Sequence, residues 1–192
     1  MSLSDAINLV ISQRRSYTPD EFDGSSVPKE IIEKALENAN WAPTHGLTEP
    51  WRFVVFLSEE SKQQLSEIHS SLYKEKTPIS EYSESKYQKL KQLPLKSSAV
   101  VAIIMKRQEA QLIPEIEEIE AVACAVQNFH LTLTAYGYGG YWSSGGATYY
   151  EELKQHFGLL PIDKILGFFY IGKPKAQKEG KRKPWQQKVT WL

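Results

Sequence analysis

Apolar residues recur at three-and-four spacing in several long stretches of the chain and run unbroken in three short ones, the pattern of amphipathic helices alternating with buried strands. Ala6, Ile7, Val10 and Ile11 form a first stripe, with Ser4 as its expected cap and Asp5 in the first turn, where an acid complements the helix dipole. This helix is expected to run into Gln13-Arg14-Arg15-Ser16-Tyr17 and to stop at Pro19, because proline lacks the N–H that would continue it. A second stripe, Ile31, Ile32, Ala35, Leu36 and Ala39, lies behind Pro28 at its first turn. Phe53-Val54-Val55-Phe56-Leu57 is too short for a helix and rich in aromatic and β-branched residues, so it predicts a buried strand.

Leu65, Ile68 and Leu72 mark a helix over Ser61 to Tyr73, and the Lys-, Glu- and Ser-rich stretch from Lys74 to Leu93 predicts either a mobile, partly helical excursion suited to a lid or a solvated surface helix. Ala99 to Met105 is wholly apolar, as in a strand buried on both faces. Pro114 and four glutamates open the longest helix, whose stripe runs Ile119, Val122, Val126, Phe129, Leu133, Tyr136 up to a natural cap at Gly137. Alanines around that stripe make this helix apolar on most sides, hence central, with a face left for a second subunit. Gly139 to Gly146 reads as a short strand opening into a glycine- and serine-rich loop, Glu151 to Phe157 as a short helix closed by Gly158, and Lys164 to Gly172 as a third core strand. The stretch from Lys173 to Lys183 is basic and proline-punctuated, and the last residues, Val189 to Leu192, are suited to an edge strand. The pattern predicts one domain over residues 1–192, with an excursion at 74–97 and an extended tail at 173–192.

Charge removes several classes of function. The 192 residues carry 23 basic and 23 acidic side chains, which leaves no general electrostatic attraction to nucleic acid or to an acidic membrane. No apolar run approaches the ~20 residues of a membrane helix, and the N-terminus lacks the pattern of a cleaved signal. The single cysteine, Cys124, excludes an internal disulfide and suits a reducing, cytoplasmic setting; its neighbours Ala-Val-Ala and Ala-Val predict an inert thiol in the core.

Three places concentrate chemistry. Between Pro43 and Pro50, a turn stiffened by both prolines presents His45 and Glu49, or is simply a capped helix-to-strand connection with solvated polar groups. Arg14-Arg15-Ser16 offers two planar guanidiniums and a hydroxyl, suited to phosphate or to an oxygen that gains charge on reduction, or else to complementing a helix C-terminus. Trp142-Ser143-Ser144-Gly145-Gly146 lets backbone amides approach a flat ligand while the indole supplies a wall, unless it is only a hairpin loop. Gly137-Tyr138-Gly139-Gly140 follows a helix and precedes a strand, the reverse of the dinucleotide-binding context. The four histidines lie in separate segments without ligand spacing, so no metal is expected.

Taken in order, R-R-S, A-P-x-H-x-x-x-E-P-W, G-x-G-G-Y-W-S-S-G and I-L-G-F-F-Y-I-G-K-P span nearly the whole chain. Together they resemble the nitroreductase family, in its short single-domain branch of FMN-dependent NAD(P)H oxidoreductases. The resemblance implies an α+β fold, a mostly antiparallel sheet flanked by helices, and an intertwined homodimer with one FMN in each of two interface sites. It implies that Arg14, Arg15 and Ser16 hold the phosphate, ribityl chain and pyrimidine edge, that His45 and Glu49 reach the flavin from the partner, and that Trp142, Ser143 and Ser144 line the ring. The implied reaction takes hydride from NADH or NADPH and reduces a nitroaromatic- or quinone-like small-molecule acceptor. The flavin does the chemistry, so no side chain is expected as a catalytic acid or nucleophile. The alternative is a flavin-binding or sensor protein without turnover. Relatives often carry a basic or amide group at the positions of Ser143 and Glu49; Lys181, Arg182 or Lys183 of the tail are the expected substitutes, and Glu49 is expected either to pair with Arg52 or to bind ribityl hydroxyls.

Overall fold

Four strands and six helices follow from this pattern in a computed structural model that describes residues 1–192. Helix α1 (Leu3–Gln13) starts two residues earlier than Ser4 would set it: Ser2 is the cap, accepting from the Asp5 N–H at 3.1 Å while the Asp5 carboxylate receives the Ser2 N–H. That reciprocal box is better than any single cap Ser4 could make. The helix also ends sooner, because Arg14 already has extended backbone and Arg15-Ser16-Tyr17 run on as extended chain to Pro19.

Pro28 caps α2 (Lys29–Ala39), and strand β1 (Trp51–Phe56) follows the turn. Helix α3 (Glu59–Lys76) is capped by Ser58 and leads through a short turn into α4 (Glu84–Gln92). The polar excursion is therefore helical over α4, and Leu90 and Leu93 are buried beneath it. Strand β2 (Ala99–Met105) is buried at every position. It is followed by α5 (Glu115–Ala135), β3 (Gly139–Ser143), α6 (Glu151–His156) and β4 (Lys164–Gly172).

The sheet is antiparallel throughout, in the order β1-β2-β4-β3. Its two faces bury separate cores. One packs Val101, Ile103, Phe169 and Ile171 against α2 and α5; the other packs Val100, Ala102, Phe168 and Tyr170 against α3 and α6. At the C-terminus of α5, Gly137 takes φ +80° and the Tyr138 N–H returns to the Leu133 carbonyl at 2.9 Å, the left-handed closure that favours glycine.

One expectation fails on burial. Cys124 is exposed, because α5 turns Ala121, Val122 and Ala125 inward and leaves the residue between them on its outer side. Helix α1 buries none of its residues, and Leu3, Ile7 and Ile11 stay largely exposed within one chain. Val189 to Leu192 make no ladder within the chain. No helix is long and apolar enough to cross a membrane.

Candidate active site at the outer edge of the sheet

The extended segment after α1 lies beside the outer strand. The Tyr17 N–H donates to the Gly140 carbonyl at 3.0 Å, and Ser16 bridges Gly140 in parallel. This approach needs glycine on the strand. A Cβ on Gly139 would stand 2.5 Å from the Tyr17 ring, and one on Gly140 would stand 2.0 Å from Phe169. The paired glycines therefore bring Arg14-Arg15-Ser16 alongside β3, whose far end carries Trp142 and Ser143 and leads into Ser144. Two of the three expected clusters thus share one sheet edge.

The far end of β3 is shaped by an irregularity in β4. The β2–β4 register skips Leu166, so that Ile103 faces Gly167 and Ile104 faces Ile165, as happens when one strand carries an extra residue. The freed Leu166 carbonyl accepts the Trp142 indole N–H at 3.0 Å. Gly167, at φ +132°, admits the Ser143 carbonyl where a Cβ would come within 2.5 Å. The indole then forms a wall with Ile119, Tyr149 and Leu166 around an open cavity of ≈ 260 Å³. Beyond it, Gly145 and Gly146 turn the chain, held by the Thr148 hydroxyl on the Gly145 carbonyl at 2.9 Å.

At the near end, positive charge converges without compensation. Arg14 is held below its ordinary pKa first by burial and then by the charges of Arg182 and Arg15. None of these three guanidiniums forms an ion pair with a carboxylate. Arg15 spends one nitrogen on the Ser12 and Arg14 carbonyls, at 2.6 and 2.8 Å, while its buried Nε has no partner. The tail closes over it: a Cβ on Gly180 would lie 2.2 Å from the guanidinium, and Lys178 anchors the tail by donating to the Ser16 carbonyl at 3.1 Å and pairing with Glu21. Underneath, the His130 ring contacts the Arg15 carbonyl at 3.2 Å, and burial, reinforced by Arg14, pushes its pKa down to about 4.

His45 and Glu49 stand apart from this edge in the same chain. The turn carrying them places Gly46 at φ +57°, Leu47 at +54° and Glu49 at +43°, so two residues with side chains hold left-handed backbone. His45 Nδ1 is bonded to Glu117 near the start of α5, whereas Arg15 lies beside His130, near the other end of that helix. Arg52 does not pair with the Glu49 carboxylate; it donates to the Glu49 and Trp51 backbone carbonyls at 2.8 and 2.7 Å. The Glu49 carboxylate has no ionic partner.

Sequence reading missed the buried ion pair of Arg107 with Glu118, 3.1 Å apart. Asp163 accepts the Arg107 and Leu160 N–H groups, each at 2.9 Å, and this network pins the 106–114 loop to the start of α5. The only signal in the sequence was an acid on the inward side of an otherwise apolar helix.

The nitroreductase family model matches residues 11–173. A Bacillus subtilis (strain 168) protein named "Putative NAD(P)H nitroreductase YfhC" is 29% identical over 182 residues, covering 94% of this chain and 91% of its own. Among solved structures, a nitroreductase-like family protein from Bacillus cereus superposes with a TM-score of 0.78 at 26% identity, covering 100% of this chain and 98% of the other. The FMN-dependent nitroreductase NfnB from Mycobacterium smegmatis, solved with NADPH, gives 0.77 at 15% identity over the full length of both chains, a likeness of fold.

Proposed function

The chain belongs to the nitroreductase family of oxidoreductases, and from that premise we propose that it binds FMN, takes hydride from NADH or NADPH and reduces a nitroaromatic- or quinone-like acceptor. In this reading it works as a homodimer whose two sites each draw on both copies. The observation that carries it is the convergence of Arg14, Arg15 and Arg182 with no carboxylate among them. Like charges gathered at a cost to the protein alone are matched by a dianionic phosphate, to which guanidiniums donate in bidentate pairs.

The residues fit the cofactor. The unpartnered, buried Arg15 Nε lies in this cluster, and of the three tail groups expected as substitutes it is Arg182 whose charge reaches Arg14. Arg14 and Arg15 would hold the phosphate, with Arg182 closing from the tail. Ser16 would meet the ribityl chain, and a guanidinium at the pyrimidine edge would favour the negative charge that gathers there on reduction. Trp142, Ser143 and Ser144 would border the ring, where the indole, fixed by Leu166, excludes water from one side. When bound, FMN supplies the electron chemistry, accepting hydride from the nicotinamide and passing two electrons on; the chain supplies position and field.

Two features support a shared site. The apolar side of α1 is uncovered, as are Trp41, Leu47 and Ile116, and an apolar surface of that extent is normally closed by another subunit. His45 is bonded to Glu117, at the opposite end of α5 from His130 and Arg15, and in this reading His45 and Glu49 serve the partner's site. The extended tail and the open edge of β1 suit an intertwined arrangement. Anaerobic spectroscopy tests the reading: protein with the FMN absorption bands, bleached by NADPH or NADH and restored by an acceptor, is the expected result. Bound FMN that neither nicotinamide bleaches would instead make it a flavin-binding protein without turnover, and protein that takes up no FMN would end the proposal.

A further inference from the structure

We propose that α4 carries an anion subsite: Lys86 and Lys89 face the 143–146 loop across a cavity of ≈ 430 Å³ and hold the phosphate or carboxylate group of the molecule that exchanges electrons at this site. The inference rests on the flavin reading above and concerns its second substrate.

Helix α4 is fixed where it lies. Ser83 caps it, and the Ser83 N–H donates to the Tyr73 hydroxyl at 3.0 Å. Leu90 is buried against the loop, where Gly146 takes φ +69° and a Cβ would come within 2.4 Å of the leucine. Three residues apart, Lys86 and Lys89 share one side of the helix and line the cavity with Tyr141, Trp142, Ser143 and Ser144. The Lys86 ammonium is held 5.0 Å over the Tyr73 ring.

No acidic residue lines the cavity. Eight lysines of the chain, among them Lys62 and Lys164, pair with carboxylates; Lys86 and Lys89 are among those that pair with none, and they are the two that line this cavity. Glu84, the acid at the start of the helix, is already engaged by the Tyr82 hydroxyl at 2.8 Å and by Gln88 at 2.7 Å. Two ammoniums without a carboxylate partner, two serine hydroxyls and a glycine turn therefore surround a space next to the indole wall. Lysine there suits a point contact with anionic oxygen on a mobile substrate, in contrast to the bidentate arginines of the cofactor's phosphate end.

The test compares wild type with the double variant K86E/K89E, each loaded with FMN and checked for flavin content and melting temperature. Half-saturation in anaerobic flavin bleaching is read for NADPH, NADH and the phosphate-free donor 1-benzyl-1,4-dihydronicotinamide, and acceptor saturation for 4-nitrobenzoate against nitrobenzene. Binding of 2′-phospho-ADP-ribose, read by tryptophan fluorescence, needs no turnover. Expected is a rise on the order of tenfold for the anionic partner, the scale of one charge-assisted contact, with the uncharged analogue unchanged. A loss confined to NADPH places the 2′-phosphate on the lysines, a loss with both nicotinamides places the pyrophosphate there, and a loss only with 4-nitrobenzoate places an acceptor's carboxylate. Full flavin, native melting and unchanged saturation for every probe would overturn the subsite. A wild type that takes up no FMN overturns the flavin reading instead, and the fluorescence titration then decides the subsite alone.

Discussion

The two ends of α5 handle charge in opposite ways. At its start, Arg107 meets Glu118, Lys164 meets Glu115, His45 meets Glu117, and Asp163 caps backbone N–H groups. Near its other end, Arg14, Arg15 and Arg182 crowd together without a carboxylate, and β3 leads from them to two further unpaired ammoniums on α4. Charge that is matched within the chain holds the fold; charge left unmatched in a chain of zero formal net charge stands ready for something that arrives. Substitutions at the first end should therefore cost stability, and those at the second should cost ligand.

The largest effect is expected from Arg107→Ala. Glu118 is 1% exposed, and removing its partner strands a buried carboxylate, which costs about 3–5 kcal/mol. The same change removes the guanidinium's bond to the Ile113 carbonyl, 3.1 Å long, and so loosens the loop ahead of α5, while Asp163 keeps the backbone N–H of residue 107. Denaturant unfolding should show the loss, while replacing both members with a well-packed apolar pair should recover most of it. A single variant as stable as wild type would show that the first end is not held by this pair.

Acid should separate the two cores next. Burial alone holds His69 near a pKa of about 4, and burial with the charge of Arg14 holds His130 at about 4, against 6.5 in the unfolded chain. Between those values the unfolded chain takes up protons that the folded one refuses, so stability present above pH 6.5 is lost as pH falls towards 4, by roughly 3 kcal/mol per histidine. His69→Leu should remove its share of that slope with little cost at pH 7, because neither ring nitrogen has a partner. Arg14→Ala should relieve His130 and leave His69 unchanged, which NMR titration of the two rings would resolve.

At the open end, Arg14→Ala and Arg182→Ala should each weaken FMN binding by about 2 kcal/mol, the worth of a charge-assisted hydrogen bond. The cofactor-free protein should melt no lower than wild type, since each change removes repulsion. Fluorescence titration of FMN alongside thermal melting gives both numbers. A fall in cofactor-free stability equal to the loss of affinity would make these arginines structural and erase the contrast between the two ends.

How far the sequence carried this contrast depends on the range of the interaction. Helices and strands set by local periodicity were legible to within a few residues, as was the Gly137 closure. Ser4 lost its expected capping role to Ser2, because a reciprocal bond with Asp5 depends on geometry three residues apart. Cys124 was misjudged since composition cannot tell which side of an apolar helix meets a neighbour. Arg107 and Glu118 are joined only by the fold, as are Arg182 and Arg14, some 170 residues apart along the chain, so no local pattern could reveal either. The role of Gly139 and Gly140 became visible only when Tyr17 and Phe169 were seen against them.

The smallest expected effect on stability tests the one residue that belongs to both ends. His45 pairs with Glu117 at the start of α5, yet both side chains are about half exposed, and a surface pair of that kind contributes roughly 0.2–1 kcal/mol. His45→Ala should therefore barely move the unfolding midpoint. If His45 serves the partner's site, the same variant should weaken FMN binding clearly, by more than the stability loss explains. Mixed dimers sharpen this: a chain carrying His45→Ala combined with one carrying Arg14→Ala should keep one intact site, because each defect would fall in the same composite pocket and leave the other whole. Equal loss in both sites would place His45 in its own chain's pocket, and the matched end of α5 would then have no part in binding across the dimer.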